Sequence, residues 1–95
     1  MSDIELLEEA VQNLRVISFV YKGSIRIVEP HLVGRNSKGN ECLSAYQTGG
    51  GSGQAFRSFH LNEIEDLEVL EEEFEGPRPG YNPNDRTMDE IFFRL

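Results

Sequence analysis

The run R-V-I-S-F-V-Y at residues 15–21, the turn Lys22-Gly23-Ser24 and the run I-R-I-V-E-P-H-L-V at residues 25–33 decide the class of fold. β-Branched and aromatic side chains dominate both runs and suit a pleated, half-buried surface. Three residues centred on a glycine leave room for little but a tight turn between two strands. Pro30 cannot donate to a ladder, so it predicts an edge, a bulge or a bend inside the second strand. Further on, Asn36-Ser37-Lys38-Gly39-Asn40 is a turn cluster, residues 41–47 read as a third strand and residues 55–61 as a fourth. Strands this close, joined by hairpin-length connections, predict an antiparallel meander or a small barrel. Thr48 to Gln54 (T-G-G-G-S-G-Q) lacks the Gly-Lys-Ser/Thr ending of a phosphate loop and no helix follows it, so it is expected to be a hairpin tip.

The flanks read differently. Ser2-Asp3-Ile4-Glu5 has the form of a capping box, and Ile4, Leu7, Val11 and Leu14 make one apolar helical stripe. Residues 2–14 are therefore expected to form a helix covering one face of the sheet. In residues 61–74, Ile64, Leu67, Leu70 and Phe74 have helical spacing, while Leu67-Glu68-Val69 alternates as an edge strand does; periodicity alone favours helix. From Glu75, G-P-R-P-G-Y-N-P-N-D is a run of turn and polyproline residues. Thr87-Met88-Asp89-Glu90 is a second capping box, and Met88, Ile91, Phe92 and Leu95 predict a short C-terminal helix needing a docking surface. The expected division is a barrel with its N-terminal helix at residues 1–74, then an extended linker and short helix at residues 75–95.

Ninety-five residues suit one core. No stretch approaches the roughly 20 apolar residues of a membrane span, and the acidic N-terminal residues argue against a signal peptide. Cys42 is the only cysteine, which excludes an internal disulfide and fits a reducing cytoplasm. The net charge of −8 opposes sequence-independent binding to a polyanion. The acids are concentrated at both flanks, however. Between residues 14 and 60, Arg15, Lys22, Arg26, Arg35, Lys38 and Arg57 face only Glu29 and Glu41, so the middle is locally basic.

Four short motifs in residues 14–74 together resemble the WYL family. They are Ile17-Ser18-Phe19-Val20-Tyr21 before a glycine turn, Arg26-Ile27-Val28-Glu29-Pro30 (R-x-V-x-P), Leu43-Ser44-Ala45-Tyr46 (L-x-A-Y) and Arg57-Ser58-Phe59-His60-Leu61-Asn62-Glu63-Ile64 (R-x-F-R-L-D-R-I). The resemblance implies a mainly β chain with flanking helices, built on a five-stranded antiparallel Sm-like or SH3-like barrel. It makes residues 65–71 the closing strand, with Asn62-Glu63-Ile64 as the turn before it. Family members usually follow a DNA-binding helix-turn-helix in bacterial transcription regulators, occur beside helicases and CRISPR components, and are thought to sense nucleotide-like ligands. Here Glu41 and Cys42 replace the name-giving Trp and Tyr, and His60 and Glu63 replace two arginines. The implied anion-binding patch is thinned to Arg26 and Arg57, with His60 as a conditional charge.

Arg57, in a strand between Phe56 and Phe59, offers a planar fork of donors for phosphate or carboxylate; the alternative is an ion pair with a nearby glutamate. Arg26 is its counterpart in the second strand. Strict alternation puts Arg57 with Phe59 and Leu61, and His60 with Phe56 and Ser58 on the opposite face. His60 and His31 therefore join a site only through a bulge, and otherwise read as exposed. Tyr21 and Tyr46 could stack on a base or simply pack. No metal spacing, cofactor motif or nucleophile–base set is present, so no enzyme activity, metal or cofactor is expected. The expected ligand is a small anion or short single-stranded nucleic acid, and duplex DNA and membranes are disfavoured. The competing expectation is an adaptor docking on a protein partner, or on a second copy, through its acidic face or C-terminal helix.

Overall fold

The computed structural model describes residues 3–50 and 53–95; Ser2 of the first capping box and part of the glycine-rich tip lie outside them. One helix, α1 (Asp3–Gln12), precedes β1 (Arg15–Tyr21), β2 (Ser24–Asn36), β3 (Glu41–Gly49) and β4 (Ala55–His60). A 3-10 turn (Leu61–Glu63) leads into β5 (Ile64–Glu73), and β6 (Met88–Arg94) closes the chain. Lys22 and Gly23 adopt φ of 51° and 80°, so the β1–β2 hairpin turns through two residues of the mirror-image type that matches strand twist. Tyr21 then pairs with Ser24 and Ile17 with Val28.

The six strands form one antiparallel sheet ordered β4-β3-β2-β1-β5, with β6 on β2. β2 changes partner along its length, pairing with β1 up to Val28 and with β6 from Leu32. Pro30 falls between the two halves, and the β2–β3 ladder slips between Pro30 and Leu32. Of the edge, bulge or bend expected at this proline, a bulge is present, and it leaves His31 as the extra residue. β4 and β5 do not pair with each other among the described residues. The sheet is open, and the expected closure into a five-stranded barrel is not observed.

Two segments where periodicity alone favours helix are strands, and at residues 65–71 a strand is what the family resemblance implies. In β5, Tyr21 pairs with Ile64, but Ser18 pairs with Glu68 and Arg15 with Glu73, so the strand carries extra residues at two places. Asp66 takes a φ of 53° in the first of these bulges. Each insertion stretches a period of two to three or four, which makes Ile64, Leu67 and Leu70 resemble a helical stripe. Residues 88–95 likewise contain β6 in place of a helix. A helix so short gains little by itself, whereas the far half of β2 offers an open edge. Asp85 bonds the Thr87 amide and hydroxyl at 2.9 and 2.7 Å, so the supposed cap belongs to a turn. The C-terminal helix expected as a docking element is therefore a strand of the sheet.

The sheet has two dressed faces. On the inner face α1 contributes Leu7 and Ala10 to a core of Ile17, Phe19, Tyr21, Val28, Val33, Leu43, Ala45 and Phe59. Phe19, Tyr21 and Phe59 meet edge to face at 5.0–6.3 Å, a geometry that adds about 0.5–1.5 kcal/mol per pair to their burial. On the outer face a smaller cluster joins Leu32, Cys42 and Met88, with Tyr81 and Ile91 against it.

Candidate functional site

Cross-strand pairs share a face, so the register sorts the six candidate residues. Val28 pairs with Gln47, Gln47 with Ala55, Ala45 with Arg57 and Leu43 with Phe59. Arg57 therefore projects from the inner face, two residues from the Gln47–Ala55 pair. Arg26 stands on the same face one step from Val28, and its Nη1 donates to Gln47 Oε1 at 3.2 Å. Its guanidinium lies 5.8 Å from the centre of the Tyr21 ring, within cation–π range. Tyr21, Arg26 and Arg57 are thus brought to one face of the sheet.

Gln47 is the residue sequence reading missed. It is fully buried, and its Nε2 donates to the Gly50 carbonyl while its Oε1 takes Arg26. A polar side chain in phase with Leu43 and Ala45 was the available signal. Arg26 Nε is buried and has no hydrogen-bond partner among the described residues. Such an orphaned donor carries a desolvation cost of about 1–3 kcal/mol or more when charged, and it marks where an acceptor is wanted.

Tyr21 has a fixed phenol. It accepts the His60 backbone amide at 3.1 Å; burial, the largest influence, holds its pKa above the ordinary tyrosine range, with the His60 amide opposing and Glu63 adding to the shift. His60 contributes through its backbone; its pairing with Cys42 puts the imidazole on the outer side, as alternation predicted. Cys42 is buried, which pushes its thiol up, the reverse of an activated nucleophile.

His31 and Tyr46 are not part of this group. His31 is wholly buried, contrary to the exposed reading, because the bulge turns it under the segment that follows β5. Its Nδ1 lies 2.7 Å from the Glu29 carbonyl, and its Nε2 lies 3.0 Å from the Arg78 backbone nitrogen. A carbonyl only accepts and an amide only donates, so Nδ1 carries the proton and the ring is neutral. Desolvation, the largest influence, depresses its pKa; Glu29 opposes the shift and Arg78 adds to it. Phe74 stacks on the ring at 5.8 Å, and Phe56 and Tyr81 meet its edge at 5.1 and 5.0 Å.

Arg78, which sequence reading placed in a loose linker, binds both oxygens of Glu29, from Nε at 2.8 Å and Nη2 at 2.9 Å. Its guanidinium lies 4.5 Å from the centre of the Tyr46 ring. The carboxylate raises the already high arginine pKa further. Among the described residues no group of three or more His, Cys, Asp or Glu side chains could hold a metal, and no helix is long and apolar enough to cross a membrane. No protein-family model, curated protein or solved structure matches the chain.

Proposed function

We propose that the chain is a non-enzymatic, WYL-like binding module whose inner face takes a small anionic ligand, a nucleotide or short single-stranded oligonucleotide. The observation that carries this reading is the buried, unsatisfied Nε of Arg26, held between Gln47 and the Tyr21 ring. A guanidinium with one arm bonded to a neutral amide and a donor unmet suits an oxyanion in the plane of its fork. Arg57 adds a second cation on that face, and the buried Tyr21 ring positions the Arg26 guanidinium. The strand order β5-β1-β2-β3-β4 and the three-residue 3-10 turn between β4 and β5 favour the order of strands implied by the family motifs, in a sheet that stays open. In that family's setting the module serves as an intracellular sensor in transcription regulation or phage defence.

A thermal-shift panel of nucleoside mono- and triphosphates and short single-stranded oligonucleotides tests the reading. A ligand at about 100 times its Kd stabilises by about 2.7 kcal/mol, or about 10 °C or more in a domain of this size. Arg57→Ala is expected to lower ligand-free stability by less than about 1 kcal/mol while weakening binding by about 1.5–3 kcal/mol. A panel with no stabilising member, or an Arg57→Ala protein that responds like wild type, would contradict it.

A further inference from the structure

On the outer face, the segment after β5 is held as a ligand is held. Residues 75–87 contain no helix or strand, and apart from the turn in which the Asp85 carbonyl accepts the Met88 amide, their one backbone hydrogen bond to the sheet among the described residues runs from the Arg78 amide to His31 Nε2. The rest of the attachment is made by side chains. Arg78, set between Pro77 and Pro79, forks onto Glu29 and covers Tyr46. Tyr81 lays its ring along Phe56, centroids 6.5 Å apart and 22° from parallel. An extended, proline-flanked chain on an aromatic-lined groove, its arginine on an acidic anchor, is a known mode of peptide recognition.

Two features indicate that the groove is not filled by its own tail. A cavity of about 600 Å³ remains beside it, lined by Glu29, Phe74, Glu75, Pro77 and Arg78 among others. Glu73 also lines it, so three carboxylates face one cation and the local charge favours a further positive group. The Arg78 side chain is also 41% exposed, so water can reach the pair that holds the tail.

We infer that this face is a recognition site for a basic, proline-rich segment of a partner protein, an arginine between prolines with a second basic residue nearby, and that residues 76–81 occupy it in cis. The Glu29 carboxylate reads the arginine fork, His31 Nε2 takes the backbone amide, and Tyr46 and Phe56 form the floor. Glu73 and Glu75 take the second cation. A tethered tail competes at an effective concentration in the millimolar range, so the site is closed until a better-matched segment displaces it.

The test uses the full chain and two labelled hexapeptides, Gly-Pro-Arg-Pro-Gly-Tyr and Lys-Pro-Arg-Pro-Gly-Tyr, followed by fluorescence anisotropy. Arg78→Ala, which frees the groove, should bind both saturably, the lysine peptide several-fold more tightly, and wild type at least tenfold more weakly. A peptide with alanine for arginine should not bind, and adding Glu29→Gln to Arg78→Ala should abolish binding. If Arg78→Ala fails to melt cooperatively, Arg78→Lys replaces it, with the same expectations because lysine lacks the fork. The inference is overturned if a folded Arg78 variant does not distinguish the arginine from the alanine peptide, or if Glu29→Gln has no effect. It is also overturned if wild type is a dimer by light scattering and Arg78→Ala makes it monomeric, because the occupant is then a second copy.

Discussion

His31 shows how much one bulge can decide. A residue that alternation leaves ambiguous becomes a wholly buried ring with both nitrogens committed, one as donor and one as acceptor. Protonation would turn Nε2 into a donor facing the Arg78 amide. The folded-state pKa lies below the unfolded value near 6.5, so the unfolded chain binds the proton first. Stability contributed by neutral His31 is therefore present above about pH 6.5 and is lost as pH falls below it, levelling off once the folded-state pKa is passed. Melting temperatures from pH 7.5 to 5 should fall for wild type relative to His31→Phe, which cannot titrate. Parallel curves would show that His31 is not the sensitive group. Arg26 and Arg57 were legible because charges in apolar strands stand out. Arg78 was not, because its partner Glu29 is 49 residues away and no local pattern announces the pair.

At the scale of elements, the hairpin of β1 and β2 could be read because a period of two and a glycine turn are local signals. Residues 64–73 misled for a physical reason: bulges at Asp66 and before Glu73 lengthen the repeat, and the competing helical period is met by accident. β6 was missed because its strand character comes from an edge of β2 that no window of sequence contains. That docking requires the chains to come very close at Gly34, where a Cβ would run into the Glu90 carbonyl oxygen. Gly34→Ala should push β6 off β2 and destabilise by about 1–3 kcal/mol, the range for overpacking a tight site. Urea unfolding gives the stability, and amide exchange should show residues 88–94 losing protection first. Unchanged protection there would mean that β6 tolerates the added methyl.

Over the whole molecule, the two faces of the sheet differ in charge and in what covers them. The net charge of −8 includes the acidic edge strand β5, where Glu65, Asp66 and Glu68 are exposed, and exposed charge of this kind guards an unpaired edge. Duplex DNA should bind poorly at physiological salt, because nine basic residues must approach a polyanion alongside seventeen acidic ones. A tight, sequence-specific complex in a gel-shift assay at that salt would refute this. The tail is a docked part of the fold, so trypsin should cut wild type only slowly at exposed Arg86, the Arg78–Pro79 bond being no trypsin site. Arg78→Ala should speed the Arg86 cut several-fold, and an unchanged rate would deny Arg78 its anchoring role. We place the proposed anionic ligand on the inner face, while the outer face holds the tail. Amide and arginine side-chain chemical shifts, recorded as the best nucleotide of the panel is titrated into the full chain, test this placement most directly. Shifts are expected at Tyr21, Arg26, Gln47 and Arg57 with His31, Tyr46 and Arg78 unmoved; shifts centred on Glu29, His31 and Arg78 would put the ligand on the outer face instead.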